Sequence, residues 1–461
     1  MGPGRSPDAP HLDSHEAMGH REDFQAGLQA LQSGDPAGAL RGFEAVLAQR
    51  PASVDATLLA GIALVGLGRT DEGITRLRAA TTLAPDRAAL HYNLGKALQD
   101  GGRAGEAEQA YRRALALQPD FAEVQANLAL VLKGRGETAE ASALFQESFL
   151  VRRATRPPDL SGVHTTRLRL AHDLEQLDHL AAAGRPVPDH AAVRAATAGV
   201  LARLPDTGPA TAQHALSAAD QAALAPSYGR ALHLEPGEVL DVPVLGPGLE
   251  TSAVEGAYLS TDPHLCVVDD VFSPSALAAL RRHCLDSTFW HASRYRGGYL
   301  GAYWEQGFGS PLLVQLAQAL RDALPGMLGP HPLQQLWAYK YDSQGGGIGV
   351  HADSAAVNVN LWLTPDDANL DPSCGGLVVH HTKAPRDWTH ADYNSWDSED
   401  RIEALLAAED RGSTVVPYRC NRAVIFDSDL FHRTDRYRFA PGYPNRRINV
   451  TMLFGWRDGL R

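Results

Sequence analysis

A short triplet near the C-terminus carries residue types that can bind a metal ion. His351 and Asp353 are separated only by Ala352, and a further histidine, His432, follows along the chain. Residues i and i+2 of an extended strand point to the same face, so His351 and Asp353 can bind one ion together. Two histidines and one carboxylate form a set that binds Fe(II) and leaves coordination positions open. The pattern therefore predicts an iron site made by His351, Asp353 and His432.

The same spacing recurs elsewhere, and the surrounding sequence decides between the copies. The other triplets of this kind are His11-Leu12-Asp13, His20-Arg21-Glu22 and His390-Ala391-Asp392. The first two lie in or at the end of a polar tail, residues 1–19, for which we expect disorder. His390 lies in a polar stretch without strand-like alternation. His351, in contrast, lies between the strand-like segments 336–341 and 356–363, and His432 follows a buried-strand pattern at 423–426.

The elements around these ligands occur in an order that resembles a known enzyme family. In chain order they are Tyr341, the glycine turn 345–349, the triplet 351–353, the strand 356–363, Gly375-Gly376-Leu377, the strand 423–426 with His432, and the segment Arg447-Ile448-Asn449-Val450-Thr451. This order resembles the Fe(II)- and 2-oxoglutarate-dependent dioxygenases, most of all the branch containing the prolyl 4-hydroxylases. The similarity covers roughly residues 265–456, and in the family Gly-Gly-Leu lies between the first two ligands and the distal histidine, which excludes His390.

The resemblance implies a role for each matching residue. His351, Asp353 and His432 would hold Fe(II). Arg447 would bind the distal carboxylate of 2-oxoglutarate as a bidentate pair, which suits a planar guanidinium group. Thr451 and Asn449 lie on the same strand face as Arg447, whereas Arg446 points to the opposite face.

Tyr341 matches a family tyrosine that helps to position the co-substrate. With 2-oxoglutarate and O₂ as co-substrates, and ascorbate as an allowed auxiliary reductant, the family oxidises an unactivated C–H bond and forms succinate and CO₂. The implied fold is an α+β double-stranded β-helix, or jelly roll, over residues 256–461. A strand at 266–272 followed by Ser273-Pro274 and a capped helix also resembles the start of such domains.

The N-terminal part of the chain has a 34-residue period. Four sets of residues, here called registers, recur at this spacing: Pro51, Pro85 and Pro119; Gly27, Gly61, Gly95 and Ala129; Ala39, Gly73, Ala107 and Ala141; and Phe43, Leu77, Tyr111 and Phe145. Small residues where two helices touch and bulky residues between them are typical of tetratricopeptide repeats, which this region, residues 20–153, resembles. The sequence thus predicts a multidomain chain with an all-α repeat superhelix before the jelly-roll domain.

One register of the repeats has two interpretations. It contains Gln25, Leu59, Asn93 and Asn127. In some proteins of the repeat family, asparagines at this position line the concave face and hold a peptide backbone. The alternative is that they satisfy polar groups between helices, and dimerisation through the repeats is the main rival to peptide binding.

Composition limits the classes of partner. The chain has 461 residues and a net charge of −12 with a pI near 5.9, so no broad basic surface for nucleic acid is expected. Four scattered cysteines fit free thiols in a reducing compartment. The start of the chain lacks the apolar core of a signal peptide, and the longest apolar run, 58–67, is too short to span a membrane. We expect a cytoplasmic protein that does not bind membranes.

Two segments connect or interrupt the recognised domains. Residues 154–255 are rich in Ala and Leu and punctuated by prolines, which predicts a helical connector packed on the repeats or on the C-terminal domain. An insertion at 380–412 separates two core strands. It is either a lid that covers the iron site and contacts substrate, or a surface excursion with a short helix at 402–408.

Three functions remain open from the sequence. The favoured one is a hydroxylase whose repeats present a protein or peptide substrate, because such repeats accompany oxygenase domains in several protein hydroxylases. The second is hydroxylation of a small metabolite, with the repeats used for assembly. The third is a non-catalytic repeat scaffold. The sequence does not indicate the oligomeric state.

Overall fold

The computed structural model describes residues 14–155, 158–185, 187–294 and 298–457. Most of the predicted tail, residues 1–13, lies outside the described residues, and the first helix begins within the rest of it at Ser14. Contacts divide the chain into two compact units, Met1–Leu132 and Lys133–Arg461. None of the described helices is both long and apolar enough to cross a membrane. The four cysteines are free thiols.

The N-terminal region consists of helices joined by short turns. They are α1 (Ser14–Gln32), α2 (Pro36–Gln49), α3 (Val54–Gly66), α4 (Thr70–Leu83), α5 (Ala88–Asp100), α6 (Ala104–Leu117), α7 (Ala122–Gly134) and α8 (Thr138–Leu150). The predicted all-α repeat region is therefore confirmed. The boundary between the two units falls inside α7, so α8 belongs to the second unit.

The 34-residue registers correspond to close contacts between paired helices. A Cβ atom built on Gly95 would lie 2.6 Å from the ring of Tyr111, so only glycine permits this approach of α5 and α6. Gly27 with Phe43 and Gly61 with Leu77 repeat the arrangement. The turns between helices have their own register of left-handed glycines, namely Gly34, Gly68, Gly102 and Gly136.

The connector contains helices, as predicted, but residues 225–250 form none. It contains β1 (His164–Thr165), α9 (Arg167–Ala182), α10 (His190–Arg203), β2 (His214–Ala215), α11 (Ala218–Leu224) and α12 (Thr251–Ser260). Helix α9 packs on the C-terminal part of the second unit, where the Gln176 amide donates to the backbone oxygens of Leu285 and Ser287 at 3.3 and 2.9 Å. The imidazole of His172 on α9 is fully buried beside Trp290 and Tyr443.

The C-terminal part of the second unit is rich in β-strands. Its elements are β3 (Leu265–Val268), α13 (Pro274–Asp286), β4 (Ala292–Arg294), β5 (Tyr299–Tyr303), α14 (Pro311–Ala323), β6 (Leu333–Tyr341), β7 (Gln344–Gly345), β8 (Val357–Trp362), β9 (Leu377–Lys383), α15 (His390–Tyr393), α16 (Glu399–Glu409), β10 (Ser413–Val416), β11 (Ala423–Asp427), β12 (Leu430–Thr434), β13 (Tyr437–Arg438) and β14 (Ile448–Phe454). The predicted strand and capped helix near residue 270 are present, since Ser273 Oγ accepts from the Ala276 amide at the start of α13.

Two antiparallel sheets face each other in this region. The larger has the order β3-β11-β8-β14-β6-β5-β4, and the smaller has the order β10-β9-β12. Side chains of both sheets form one core, which includes Trp362 and Phe426 of the larger sheet and Val379 and Leu430 of the smaller. Strand β13 pairs with β7 at the side of this core. The region is β-rich with antiparallel sheets, which confirms the coarser part of the predicted fold, while the double-stranded β-helix itself stays a prediction.

The central strands of the larger sheet are buried on both faces, but the two faces differ in polarity. On β8 the outward residues are Val357, Val359 and Leu361, whereas Asn358 and Asn360 point inward. On β14 the residues facing inward include Asn449 and Thr451. Because burying polar side chains in a core is unfavourable without partners, their concentration at one place indicates a candidate site.

Candidate functional site

The structure brings the three predicted metal ligands together. The backbones of His351 and His432 form an antiparallel bridge, with amide-to-carbonyl distances of 3.0 Å from His351 and 2.7 Å from His432. The Asp353 amide donates to the carbonyl of Ser428 at 2.9 Å. As a result, potential ligand atoms of the three side chains lie within 4.8 Å of one another. Among the described residues this is the one group of three or more His, Cys, Asp or Glu with such spacing.

Backbone carbonyls orient both imidazoles. His351 Nδ1 lies 2.9 Å from the carbonyl oxygen of Gly349, and His432 Nδ1 lies 2.9 Å from that of Leu430. A carbonyl only accepts, so each Nδ1 carries the proton and each Nε2 keeps its lone pair. Metal-binding histidines commonly have this second hydrogen bond, because it fixes the tautomer and the ring orientation.

Two asparagines hold the Asp353 carboxylate. Asn358 of β8 donates to Oδ2 at 2.9 Å, and Asn394, which follows α15, donates to Oδ1 at 3.3 Å. His432 Nε2 lies 3.5 Å from Oδ2. Burial acts to raise the pKa of Asp353, but His432 and the other nearby histidines hold it below its ordinary value. The carboxylate is therefore charged and available as a ligand.

The first histidine is also kept in its metal-binding form. Burial lowers the pKa of His351 to about 4, with a smaller contribution from His432 beside it. A neutral imidazole is the form that binds metals, so at neutral pH no proton has to be displaced from His351.

Arg447 is a buried cation without an acidic partner. Its side chain is only 1% exposed. Nε donates to the carbonyl of Gly375 at 2.7 Å, and Nη2 donates to that of Gly376 at 3.3 Å. Among the described residues no carboxylate forms an ion pair with it. Since a buried charge is costly without a counter-ion, this arrangement fits a site that receives an anion.

Arg446, the neighbouring arginine, points elsewhere. Its Nε donates to a Glu175 carboxylate oxygen at 2.8 Å, and its Nη1 lies 3.3 Å from the carboxylate of Asp342. The two arginines therefore lie on opposite faces, as the sequence predicts, and the acidic partners belong to Arg446.

The other predicted co-substrate residues surround Arg447. The guanidinium carbon lies 4.7 Å from the ring centroid of Tyr341, and Nη1 lies 3.4 Å from Asn449 Oδ1. The Thr451 hydroxyl accepts from the amides of Asn449 and Asn360 at 3.3 and 3.2 Å. With two amide donors on its oxygen, the hydroxyl can donate its own proton to a ligand.

Two adjoining cavities reach the candidate metal ligands. The inner one, of about 20 Å³, is lined by the three ligands together with Tyr341, Asn360, Arg447, Asn449 and Thr451, among others. The outer one, of about 310 Å³, shares His351 and Asp353 with it. The outer cavity is large enough for a small organic group, whereas the inner cavity is narrow.

The predicted insertion begins later than the sequence indicated. Residues 380–383 belong to β9, so the excursion starts at Ala384, and its main helix, α16, is longer than the predicted 402–408. The insertion packs beside the site: Ile402 and Tyr393 share an apolar cluster with Val350 and Ala352. The Asn394 amide also donates to the carbonyl of Ala352 at 2.7 Å.

The competing His390 triplet does not join the metal ligands. At the start of α15 the Thr389 hydroxyl donates to Asp392 Oδ2 at 2.6 Å. Arg401 Nη1 donates to the other oxygen of this carboxylate at 2.5 Å. His390 lines the outer cavity instead.

The asparagines of the repeats have local partners. The Asn93 amide donates to the carbonyl of Ala89 at 2.7 Å, and Asn127 hydrogen bonds with Tyr111. Gln25 is exposed and Leu59 is half-buried. These bonds are those expected if the asparagines satisfy polar groups within the helices, so peptide binding at this register stays a prediction.

Several residues of the site were not singled out from the sequence. Asn358 and Asn360 could have been found from the strand 356–363, because two asparagines alternate there with apolar residues. Asn394 gave no signal, since it reaches Asp353 from a loop distant in sequence. The aromatic residues Tyr299 and Tyr303 lie in β5, for which the sequence shows no clear strand pattern.

Comparison with solved structures gives matches of low sequence identity. The chain is similar to the crystal structure of the MamA protein, with 22% identity over 42% of this chain and 100% of that one, and a TM-score of 0.28. It is similar to a mutant of the Thermobaculum terrenum O-GlcNAc transferase, with 20% identity over 36% of each chain and a TM-score of 0.29. YrrB, described as a TPR protein with an unusual peptide-binding site, has 17% identity over 30% of this chain and 71% of its own, with a TM-score of 0.27.

A comparison with curated protein sequences finds no match. The family model of the tetratricopeptide repeat matches residues 24–88, 58–120 and 92–152. The N-terminal part of this chain therefore consists of tetratricopeptide repeats, as the 34-residue spacing predicts.

Proposed function

We propose that the second unit is an Fe(II)- and 2-oxoglutarate-dependent dioxygenase with a double-stranded β-helix core, and that it hydroxylates a C–H bond of a protein or peptide substrate. His351, Asp353 and His432 would hold the iron. Arg447, with Thr451, Asn449 and Tyr341 around it, would bind 2-oxoglutarate. When bound, the iron and its co-substrates supply the oxidising chemistry, which no side chain provides.

The observation that carries the proposal is the pairing of the ligand set with a buried, acid-free arginine. A His-Asp-His cluster alone can bind many divalent metals. Arg447 lines the same cavity as this cluster and lacks an acidic partner among the described residues. A dicarboxylate of suitable length would bind the metal with one end and pair with the Arg447 guanidinium group with its other carboxylate.

The donor set fits both groups. Each ligand histidine has its Nε2 available, and the Asp353 carboxylate is charged. The inner cavity of about 20 Å³ is smaller than 2-oxoglutarate, so binding is expected to widen it. The hydrogen bonds of 3.4 and 3.3 Å that link Asn449 to Arg447 and Thr451 are the long contacts that can be exchanged for contacts to the ligand.

The remaining residues of the site act by positioning and by excluding water. Asn358 and Asn394 fix the Asp353 carboxylate, while Gly349 and Leu430 fix the imidazoles through their carbonyls. Tyr341 and Trp362 place their rings 4.7 and 5.9 Å from the Arg447 guanidinium carbon, which shields the charge from water. A protected guanidinium interacts more strongly with a carboxylate than an exposed one does.

For the repeats we propose binding of the protein or peptide that is modified. Tetratricopeptide arrays form concave surfaces suited to extended segments. Hydroxylation of a small metabolite, with the repeats used for assembly, remains the alternative for the substrate.

Calorimetric titration of 2-oxoglutarate into Zn(II)-loaded protein tests the co-substrate assignment. We expect binding in the wild type and an affinity lower by about tenfold or more in Arg447→Ala, because a charge-assisted bidentate contact is lost. Glutarate, which lacks the keto oxygen, should bind more weakly than 2-oxoglutarate. Equal affinity of wild type and Arg447→Ala, or absence of binding to folded and metal-loaded protein, would contradict the proposal.

A further inference from the structure

We propose that the outer cavity binds a basic side chain of the substrate peptide, with Glu399 as the counter-ion of its ammonium or guanidinium group. The outer cavity is the space of about 310 Å³ that opens beside His351 and Asp353. Its role as a substrate pocket rests on the proposed function, while its preference for a cation rests on the residues that line it.

One side of the outer cavity is a wall of aromatic rings. Tyr299 and Tyr303 of β5 and Trp337 and Tyr339 of β6 line it. The Tyr299 and Tyr339 centroids lie 4.7 Å apart, and those of Tyr303 and Tyr339 lie 6.2 Å apart. Tyr303 is the direct cross-strand partner of Trp337. Clustered rings of this kind attract organic cations through the negative potential of their faces.

Another part of the lining comes from the insertion and contains a carboxylate. Glu399, the first residue of α16, lines the cavity together with His390, Asn394 and Ser395. A Cβ built on Gly349 would lie 2.5 Å from Glu399 Oε1, so the carboxylate lies against backbone two residues before His351. Within the described chain the Glu399 carboxylate has no hydrogen bond and no ion pair.

Apart from its histidines, the charged residues that line the outer cavity are carboxylates, so their charge is negative. Neither lysine nor arginine is among its lining residues. Both oxygens of the Asp353 carboxylate accept hydrogen bonds from asparagine amides, with or without a metal, which leaves Glu399 as the free carboxylate of the lining. An anionic substrate group would therefore meet repulsion, whereas an ammonium or guanidinium group would meet an acceptor and aromatic faces.

A buried donor on the aromatic side independently indicates a ligand. The Trp337 side chain is only 9% exposed, and its Nε1–H, which can only donate, has no acceptor among the described residues. A buried donor of this kind gains from a partner, and a peptide carbonyl is an acceptor of the right type. A basic residue within a peptide supplies both the cation for Glu399 and the carbonyl for Trp337.

The test is calorimetric titration of the full-length, metal-free protein with three blocked amino acids. The probes are the N-acetyl N-methylamides of lysine, of arginine and of norleucine, which has a neutral side chain. We expect the lysine or arginine probe to bind about tenfold or more tightly than the norleucine probe. Glu399→Gln should abolish this difference. Asp400→Asn is the matched control, because it removes the same charge from the first turn of α16 at an exposed position outside the cavity.

Trp337→Phe provides a second variant, since it keeps the ring and removes only the donor. We expect weaker binding of all three probes with the preference for a cation retained. Equal binding of the lysine, arginine and norleucine probes, or a preference that survives Glu399→Gln, would overturn the inference. Because no metal or 2-oxoglutarate is present, this result does not depend on whether the proposed iron chemistry is correct. A failure here with intact 2-oxoglutarate binding would reject only the cation preference.

Discussion

His351 and His432, far apart in sequence, are joined by two reciprocal backbone hydrogen bonds of 3.0 and 2.7 Å. This bridge brings their imidazole centroids to 4.4 Å. The positions of the two rings therefore follow from strand geometry and do not require a metal to hold them together. Preorganisation of this kind favours metal binding, because little ordering remains to be done when the ion arrives.

Removal of Asn394 should weaken metal binding, although it is not a ligand. Its amide donates to the Ala352 carbonyl and to Asp353 Oδ1, so Asn394→Ala leaves the carboxylate held by Asn358 alone. We expect the affinity for Zn(II) or Fe(II) to fall by about 10–100-fold, the range typical of residues that orient a ligand. Competition with a chelator measures this, and Asp400→Asn controls for general effects on the insertion. Unchanged affinity would show that the insertion does not position Asp353.

Substitution of Arg446 should lower the stability of the fold, whereas substitution of its neighbour Arg447 should weaken binding of the co-substrate. Arg446→Ala breaks the contacts to Glu175 and Asp342, and we expect the free energy of unfolding to fall by about 1–2 kcal/mol, allowing for the partial exposure of Glu175. Affinity for 2-oxoglutarate should change little in this variant. Denaturant unfolding and calorimetry measure the two quantities. A loss of 2-oxoglutarate binding as large as that of Arg447→Ala would mean that the assignment of the two arginines is wrong.

Two glycines of the repeats should respond to alanine in opposite directions. Gly95→Ala places a Cβ 2.6 Å from the Tyr111 ring, and we expect a loss of about 1–3 kcal/mol because α5 and α6 must separate. Gly105, the second residue of α6, has nothing within 4 Å of a built Cβ, so Gly105→Ala should stabilise the fold by roughly 0.4–1 kcal/mol. Thermal or urea unfolding of the two variants checks the contrast. Destabilisation of equal size by both would refute the packing explanation.

Acid should destabilise the second unit partly through His172. Burial lowers the pKa of this imidazole to about 3. Below about pH 6.5 the His172 imidazole is protonated in the unfolded chain, whereas in the folded chain it stays neutral until about pH 3. The free energy of unfolding therefore decreases as the pH falls through this interval. The slope from this one group is at most ~1.4 kcal/mol per pH unit.

Urea unfolding at about pH 7, 6 and 5 measures that slope, with His172→Phe as the comparison. The variant should lose less stability on acidification than the wild type, whatever its stability at neutral pH. Parallel pH dependences for the two proteins would contradict the assigned shift.

The clustering of His351, Asp353 and His432 and the repeats could be predicted because their signals are local or periodic. His351 and Asp353 share a face through a two-residue spacing, and Gly95 and Tyr111 belong to registers that recur every 34 residues. The position of Arg447 could be inferred because the order of elements resembles a family with an arginine at that place. Two-residue alternation in β14 then places Asn449 and Thr451 on the same face.

The parts that could not be predicted depend on contacts between distant segments. Asn394 contacts Asp353 only because the insertion packs against the segment that contains the triplet. No local sequence pattern indicates this contact between distant segments. The wall made by Tyr299, Tyr303 and Tyr339 depends on the pairing of β5 with β6, which short strands do not specify by themselves. The insertion starts later than the sequence indicates because β9 continues through the polar residues His380 to Lys383, where pairing with β10 on one side and β12 on the other outweighs their polarity.

The most direct test of the iron and 2-oxoglutarate assignment is anaerobic titration of the purified protein with Fe(II) and 2-oxoglutarate, monitored by the weak visible charge-transfer band of the chelate. We expect a band in the wild type that is absent in Asp353→Ala and that requires far more 2-oxoglutarate in Arg447→Ala. His390→Ala, which alters the competing triplet, should retain the band. Absence of the band in folded, metal-loaded wild-type protein, or its loss in His390→Ala with retention in Asp353→Ala, would contradict the account.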